Sequence, residues 1–287
     1  MSSRPSSPLL PLALSKVVAY PLAPQCEAGS GSIKGAKTCA WAAGRAAIPL
    51  ALIRHELYLS WARHYANSSR FFVADFRDTV FQRDPFAGLP PPAHALELWL
   101  YAEHFPFKQF KRCPFNAGWV RNCWGKEKFA PLRDRAALCS GSYLGTRDGV
   151  AHFEATLLGE VADARCHEKD QASDQGYLNW LSSSGRLPGA VVHDRGYGLV
   201  NTVGALCPGC KRHRYPVGAL GPKFWRLRDR DGYVLQDDGA TRSAVVHQYD
   251  RFDPEINGLV AKLNCNGCWP PPSRAAIADD PPGPAPG

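Results

Sequence analysis

The stretch from Phe71 to Phe86, FFVADFRDTVFQRDPF, constrains the fold of this chain more than any other. Phe71-Phe72-Val73-Ala74 reads as a short buried strand that runs straight into Asp75. Upstream, Leu50, Ile53, Leu57, Tyr58, Trp61 and Tyr65 recur at helical spacing and predict an amphipathic helix ending near Asn67–Ser69. A helix, a short turn, a buried strand and then acidic residues predict an α/β crossover. Its strand ends at a sheet's carboxyl edge, where open α/β sheets bind ligands. Asp75, Arg77 and Asp78 arrive together at that edge. Carboxylates offer oxygen ligands to magnesium or manganese, and an arginine can fork onto phosphate oxygens, so the cluster suits a diphosphate with a hard cation. The same residues also suit an Asp/Arg salt-bridge cluster that merely caps a strand.

The rest of the chain agrees with an α/β reading. Leu96–Tyr101 and Leu138–Leu144 are predicted strands, and Val150, Phe153, Leu157, Leu158 and Val161 mark a second amphipathic helix. Tyr177, Leu178 and Leu181 mark a third helix. Val191–Val192, Leu199–Val203, Tyr233–Leu235 and Ala244–Val246 are short strand candidates, and Lys16–Tyr20 is another in an otherwise Ser-, Pro-, Gly- and Ala-rich N-terminal segment. The 26 glycines and 25 prolines gather largely at the two ends. Residues 1–47 are therefore expected to be poorly ordered or degenerate, 48–269 to form the globular domain, and 270–287 to be a disordered Pro-rich tail.

Three further groups carry chemistry. In Cys139-Ser140-Gly141-Ser142-Tyr143-Leu144-Gly145, the glycines allow close approaches that a Cβ would block; alone, this is also an ordinary strand-to-helix turn. Asp174-Gln175-Gly176-Tyr177 opens a helix, where a carboxylate can orient a substrate hydroxyl or act as base, or simply complement the helix dipole. Asp237-Asp238-Gly239 precedes Val245-Val246-His247-Gln248-Tyr249-Asp250-Arg251. There a strand ends in a histidine, and one imidazole beside carboxylates suits manganese.

Taken in order from Phe71 to Arg251, these groups resemble the GT-A-type glycosyltransferases, and the resemblance covers roughly residues 48–253. In that family an Asp-x-Asp follows a strand, with an Asp-Pro several residues later. Here two residues separate Asp75 from Asp78. Aligned from Asp84-Pro85, Asp78 takes the place of the second aspartate and Asp75 sits one position early. The resemblance implies a GT-A-like single domain with a central mixed, mostly parallel sheet flanked by helices. It implies that Asp75, Asp78 and His247 bind Mn2+ (or Mg2+), and that Arg77, Ser140, Gly141 and Gln175 line the site of a nucleotide-diphosphate sugar, a UDP-sugar by analogy. Asp174 would be the catalytic carboxylate. The acceptor would be a glycan, a protein or a small molecule. GT-A domains open with a strand–helix nucleotide-binding unit, which residues 1–47 supply only incompletely.

Charge and cysteines bear on partners and compartment. The net charge of +8 is spread along the chain, with short knots at Lys211–Arg214 and Arg226–Arg230, so nucleic acid is not expected as a partner. Ten cysteines, an even and high number, suggest disulfides and a secretory-pathway lumen or the cell exterior, and the resemblance implies the Golgi lumen, although no targeting signal and no transmembrane segment is legible. Cys207-Pro-Gly-Cys210 and Cys265-Asn-Gly-Cys268 could instead hold a structural zinc. That supports a rival reading as a non-catalytic zinc- or nucleic-acid-binding protein. A third reading is a catalytically lapsed glycosyltransferase fold that binds glycan or a partner.

Overall fold

The computed structural model describes residues 25–26, 38–40, 48–76, 78–103, 109–164, 166, 173–195, 198–204 and 228–249. Arg77, the strand candidate Lys16–Tyr20, Asp250, Arg251, both CxxC pairs and the tail from Pro270 lie outside them. The chain divides into two units, 1–53 and 54–287. In the first, β1 (Gln25–Cys26), β2 (Thr38–Ala40) and β3 (Ile48–Pro49) form a three-stranded antiparallel sheet in the order β1-β2-β3.

The second unit is mixed α/β, with two mixed sheets and flanking helices. One sheet joins β4 (Arg70–Ala74), β6 (Leu98–Ala102), β7 (Leu138–Thr146) and β8 (Ala190–His193) in the order β4-β7-β6-β8. The other joins β5 (Thr79–Phe81), β9 (Val200–Thr202) and β10 (Val245–His247) in the order β5-β10-β9. Only β6–β8 and β10–β9 pair parallel; β4–β7, β6–β7 and β5–β10 pair antiparallel. The expectation of a mostly parallel sheet therefore does not hold among the described strands. In the four-stranded sheet β7 runs antiparallel to both of its neighbours, β4 and β6, which takes the sheet out of the parallel pattern; the four residues Asp75 to Asp78 then carry the chain from β4 into the other sheet.

Helix α1 (Leu50–His64) contributes Arg54 onward to this unit, and its last turn carries Arg63 and His64, cations suited to the negative end of the helix dipole. Helix α2 (Pro114–Trp124) starts on a proline, which needs no hydrogen-bond acceptor in the first turn. Neither it nor the short α3 (Lys126–Phe129) was legible as a periodic pattern. Helix α4 (Arg147–Ala164) follows β7 directly, with the Gly149 N–H donating to Thr146 Oγ1 at 3.0 Å. Helix α5 (Asp174–Ser183) places an acidic residue in its first turn. The predicted strand at Tyr233–Leu235 makes only isolated bridges, Val234 with Arg228 and Leu235 with Arg242.

The core that joins the two sheets consists of Tyr101, Leu144, Leu199, Val200, Ala244 and Val245, with Phe72, Leu89 and Trp99 packed against it. Gln82 ties the loops beside it together: its side chain donates to the carbonyls of Val234 and Ser243 at 2.9 and 2.8 Å and accepts the Val234 N–H at 2.8 Å. A second cluster, Phe110, Val120 and Leu132 with Trp124, Phe129 and Trp180, sits under α2 and α5. A disulfide joins Cys123, near the end of α2, to Cys166 beyond α4. Among the described residues Cys113 and Cys139 are free and buried, and no helix is long and apolar enough to cross a membrane.

Candidate metal centre

Backbone contacts bring the acidic loop, β7 and the end of β10 together. The Asp75 N–H donates to Gly141 O at 2.8 Å, which extends the β4–β7 ladder by one residue and sets Asp75 opposite Gly141. His247 pairs with Thr79 on one side and with Thr202 on the other. The N–H groups of Gln248 and Tyr249 then donate to Asp78 O at 2.7 and 3.3 Å. Two sheet edges and one loop thus meet at a single point.

At that point a ligand atom from each of Asp75, Asp78 and His247 lies within 4.8 Å of the others. His247 Nε2 is 3.5 Å from Asp78 Oδ1 and 3.9 Å from Asp75 Oδ2, and it has no hydrogen-bond partner although the ring is buried. A buried polar atom without a partner is costly, which makes an unmet nitrogen aimed at two carboxylates a sign of a missing ligand. An ion with metal–ligand bonds of ~2.1 Å spaces neighbouring ligand atoms roughly 3 Å apart, so the three atoms, now within 4.8 Å of one another, must draw in to share one. Two oxygens and one nitrogen form a donor set that manganese accepts readily. The residues present therefore fit a divalent cation.

Gly141 is what leaves room for it. A Cβ there would stand 2.4 Å from His247 Cε1 and 2.6 Å from both His247 Nε2 and Asp75 Oδ2, distances no side chain tolerates. The glycine is required by the approach of β7 to the ligand atoms. Its half-buried neighbour Ser140 lies one residue away on the same strand.

Electrostatics favour the charged form of His247. Burial favours the neutral form of His247, yet the Cys139 sulfur and the Asp78 carboxylate outweigh it and raise the ring's pKa to about 10. The metal-free ring is thus protonated, and a bound cation would replace that proton.

Arg54, which sequence reasoning missed, connects this centre to Asp174. Its Nη1 donates to Asp75 Oδ1 at 2.5 Å and its Nη2 donates to Asp174 Oδ2. Burial opposes its charge, but the carboxylates of Asp174 and Asp75 hold it firmly protonated. One Asp75 oxygen is thereby taken by the guanidinium while the other faces His247. The only sequence signal for Arg54 was a cation within the apolar run of a predicted amphipathic helix.

The remaining predicted residues divide. Asp174 is buried in the first turn of α5, behind Asp75 and Arg54. The Gln175 amide turns away into an internal network, donating to Glu103 Oε1 at 3.2 Å and Asn116 Oδ1 at 3.1 Å. Arg77 lies outside the described residues, and Phe76 between Asp75 and Arg77 is almost wholly exposed. Asp237 is paired with Arg195 at 2.8 Å, and Asp238 Oδ1 accepts the Ala240 and Thr241 N–H groups, so this acidic pair builds a turn.

No family model and no curated protein matches the chain. Among solved structures it is similar to the galactosyltransferase LgtC in complex with donor and acceptor sugar analogues, at 18% identity and a TM-score of 0.37. The match covers 68% of this chain, which spans 58% of that one. A likeness so distant carries no argument about this chain.

Proposed function

We propose that this chain is a metal-dependent, GT-A-like glycosyltransferase, with residues 48–269 as its catalytic domain and a uridine diphosphate sugar as donor. The observation that carries this reading is the meeting of Asp75, Asp78 and His247 at one point, next to an Asp174 tethered to the same point by Arg54. The order of these residues along the chain, in motifs that resemble the family's, supports it further.

Asp75 Oδ2, Asp78 Oδ1 and His247 Nε2 would hold Mn2+ or Mg2+. When bound, the cation supplies Lewis acidity, neutralising charge on the departing diphosphate. Gly141 keeps the space above these atoms clear. Arg54 holds Asp174 in place, so its carboxylate can orient a sugar hydroxyl or accept a proton from the acceptor. Ser140, Arg77 and the exposed Phe76 would face the donor, while Gln175 steadies the start of α5 through Glu103 and Asn116. The acceptor would be a glycan, a protein or a small molecule. The Cys123–Cys166 disulfide supports an oxidising compartment, such as the secretory-pathway lumen.

The test is co-operative ligand binding by the full chain. Uridine diphosphate and Mn2+ together should raise the melting temperature by more than the sum of their separate effects, because each completes the other's site. No shift with both at millimolar concentration overturns the proposal.

A further inference from the structure

Behind the three ligand atoms lies a sulfur that the proposed chemistry leaves unused. Cys139 Sγ stands 3.5 Å from His247 Nδ1, the ring nitrogen pointing away from Asp75 and Asp78. The thiol is 2% exposed and the imidazole 1%, so no water competes for that nitrogen. Gln248 reaches the same sulfur, its Nε2 donating at 3.8 Å. Gln248 is also the one described non-glycine residue with a left-handed backbone, φ 61°, a conformation that side chains rarely adopt. That turn directs its N–H onto Asp78 O at 2.7 Å.

These contacts close a ring. Asp78 is held by the Gln248 backbone, Gln248 by the Cys139 sulfur, Cys139 by His247 Nδ1, and His247 Nε2 returns to Asp78 at 3.5 Å. The ring joins β7, β10 and the acidic loop at one place. A histidine that binds a metal through Nε2 must carry its remaining proton on Nδ1, and that proton needs an acceptor. The only acceptor the structure gives Nδ1 among the described residues is the sulfur.

We infer that Cys139 is the positioning residue for His247: its sulfur accepts the Nδ1–H, which fixes the ring's tautomer and aims the Nε2 lone pair at Asp75 and Asp78. The inference rests on the metal reading of the site. A thioether or thiol sulfur is a weak acceptor; here the second donor, the Gln248 amide, pins it in place. The sulfur thereby acts on the cation without touching it.

The experiment uses the full chain with Cys139→Ala, the larger apolar Cys139→Val and the acceptor-retaining Cys139→Ser. Mn2+ alone is the probe, its free aquo ion read by electron paramagnetic resonance. Ala and Val should weaken Mn2+ binding by roughly 10–100-fold, the usual cost of losing an outer partner of a metal-bound histidine. Ser should return it to within a few-fold of the parent. Parent-like binding in Ala and Val, or Ser as weak as Ala, overturns the inference. A second readout needs no metal: in protein with 15N-labelled histidine, the downfield Nδ1 proton of His247 should persist in Ser and move upfield in Ala and Val. An unmoved resonance in Ala and Val overturns the inference. If the parent holds no Mn2+ while this resonance behaves as expected, the metal reading fails and the Cys139–His247 pairing stands.

Discussion

Arg54 Nη1 lies 2.5 Å from Asp75 Oδ1, and the same guanidinium also donates to Asp174. One planar fork thus sets the distance between a candidate metal ligand and a candidate catalytic carboxylate. Lysine carries the same charge but is a point donor on a flexible stem and cannot span both partners in fixed geometry. Arg54→Lys should therefore lower turnover by about 100-fold, the cost of a misplacement near 1 Å at a reacting centre. Steady-state kinetics check this, and parent-like turnover in the lysine variant would show that the bridge is only structural.

Gly141 supports the second prediction. Gly141→Ala would press a methyl group onto His247 and Asp75 atoms 2.4–2.6 Å away. Its backbone is extended strand, so nothing in the chain conformation forbids alanine. Overpacking of this kind costs about 1–3 kcal/mol, and the variant should stay folded at 25 °C while losing Mn2+ binding. Calorimetric titration measures it. Undiminished Mn2+ affinity would remove Gly141 and its neighbours from the metal centre.

Much of this arrangement was legible in the sequence, and the failures have physical causes. The strand before Asp75, the helix before that strand and the two helices after Thr146 all appeared as clean apolar periods, and the structure has them within a few residues. Asp75, Asp78 and His247 were legible as a set because their apolar flanks and their order along the chain could be read directly: Asp75 follows an apolar strand and His247 ends another. Arg54 and Cys139 were not, because each matters only through a partner that is distant in sequence: 21 residues from Arg54 to Asp75 and 108 from Cys139 to His247. The division into two sheets was also hidden, since β5 has three residues and no alternating pattern long enough to announce it. Gln175 was read with Asp174 as one helix-start motif; adjacent residues at a helix start point in different directions, and its amide turns inward to Glu103 and Asn116.

Glu154 supports a prediction about stability. It is fully buried; Tyr143 donates its hydroxyl to Oε1, and His55 Nδ1 lies 2.6 Å from Oε2. Burial and the Glu154 carboxylate both push the Tyr143 hydroxyl well above its usual pKa, so it stays a donor. Glu154→Ala leaves two buried polar groups without their partner and should cost about 3–5 kcal/mol, whereas Glu154→Gln keeps an acceptor and should cost less. Urea unfolding of both variants decides it. Equal, small losses would mean the network contributes little.

His193 gives the pH dependence. Its ring lies 4.8 Å from Trp99 and 5.9 Å from Tyr101, and Nε2 is buried without a partner. Desolvation lowers its pKa below 6.5, against the opposing pull of Asp194 and Glu97. The folded state therefore binds this proton less readily than the unfolded state. The sign follows: this contribution to stability is complete above pH 6.5 and is lost as pH falls through the lowered folded value. The urea midpoint should drop from pH 7.5 to pH 5.5 by more in the parent than in His193→Gln. An identical drop in both would assign the acid sensitivity to other groups.

Asp78→Asn separates chemistry from architecture. The change keeps the size of the side chain and leaves the Asp78 carbonyl, which accepts from Gln248 and Tyr249, untouched. It removes the charge facing His247 Nε2 at 3.5 Å. Loss of one electrostatic stabiliser at a site of developing charge typically costs ~10²–10³ in rate, and the melting temperature should move by only a few degrees. The matched control is Asp84→Asn. Asp84 Oδ1 accepts the Phe86 N–H at 2.8 Å in a turn, and asparagine can accept the same bond. The control loses an equal charge from the turn after β5 but should keep its activity. Donor hydrolysis or transfer is measured for both variants. Parent-like activity in Asp78→Asn would reduce the acidic loop to a salt-bridged strand cap, and equal losses in the two variants would trace the effect to net charge rather than to the metal centre.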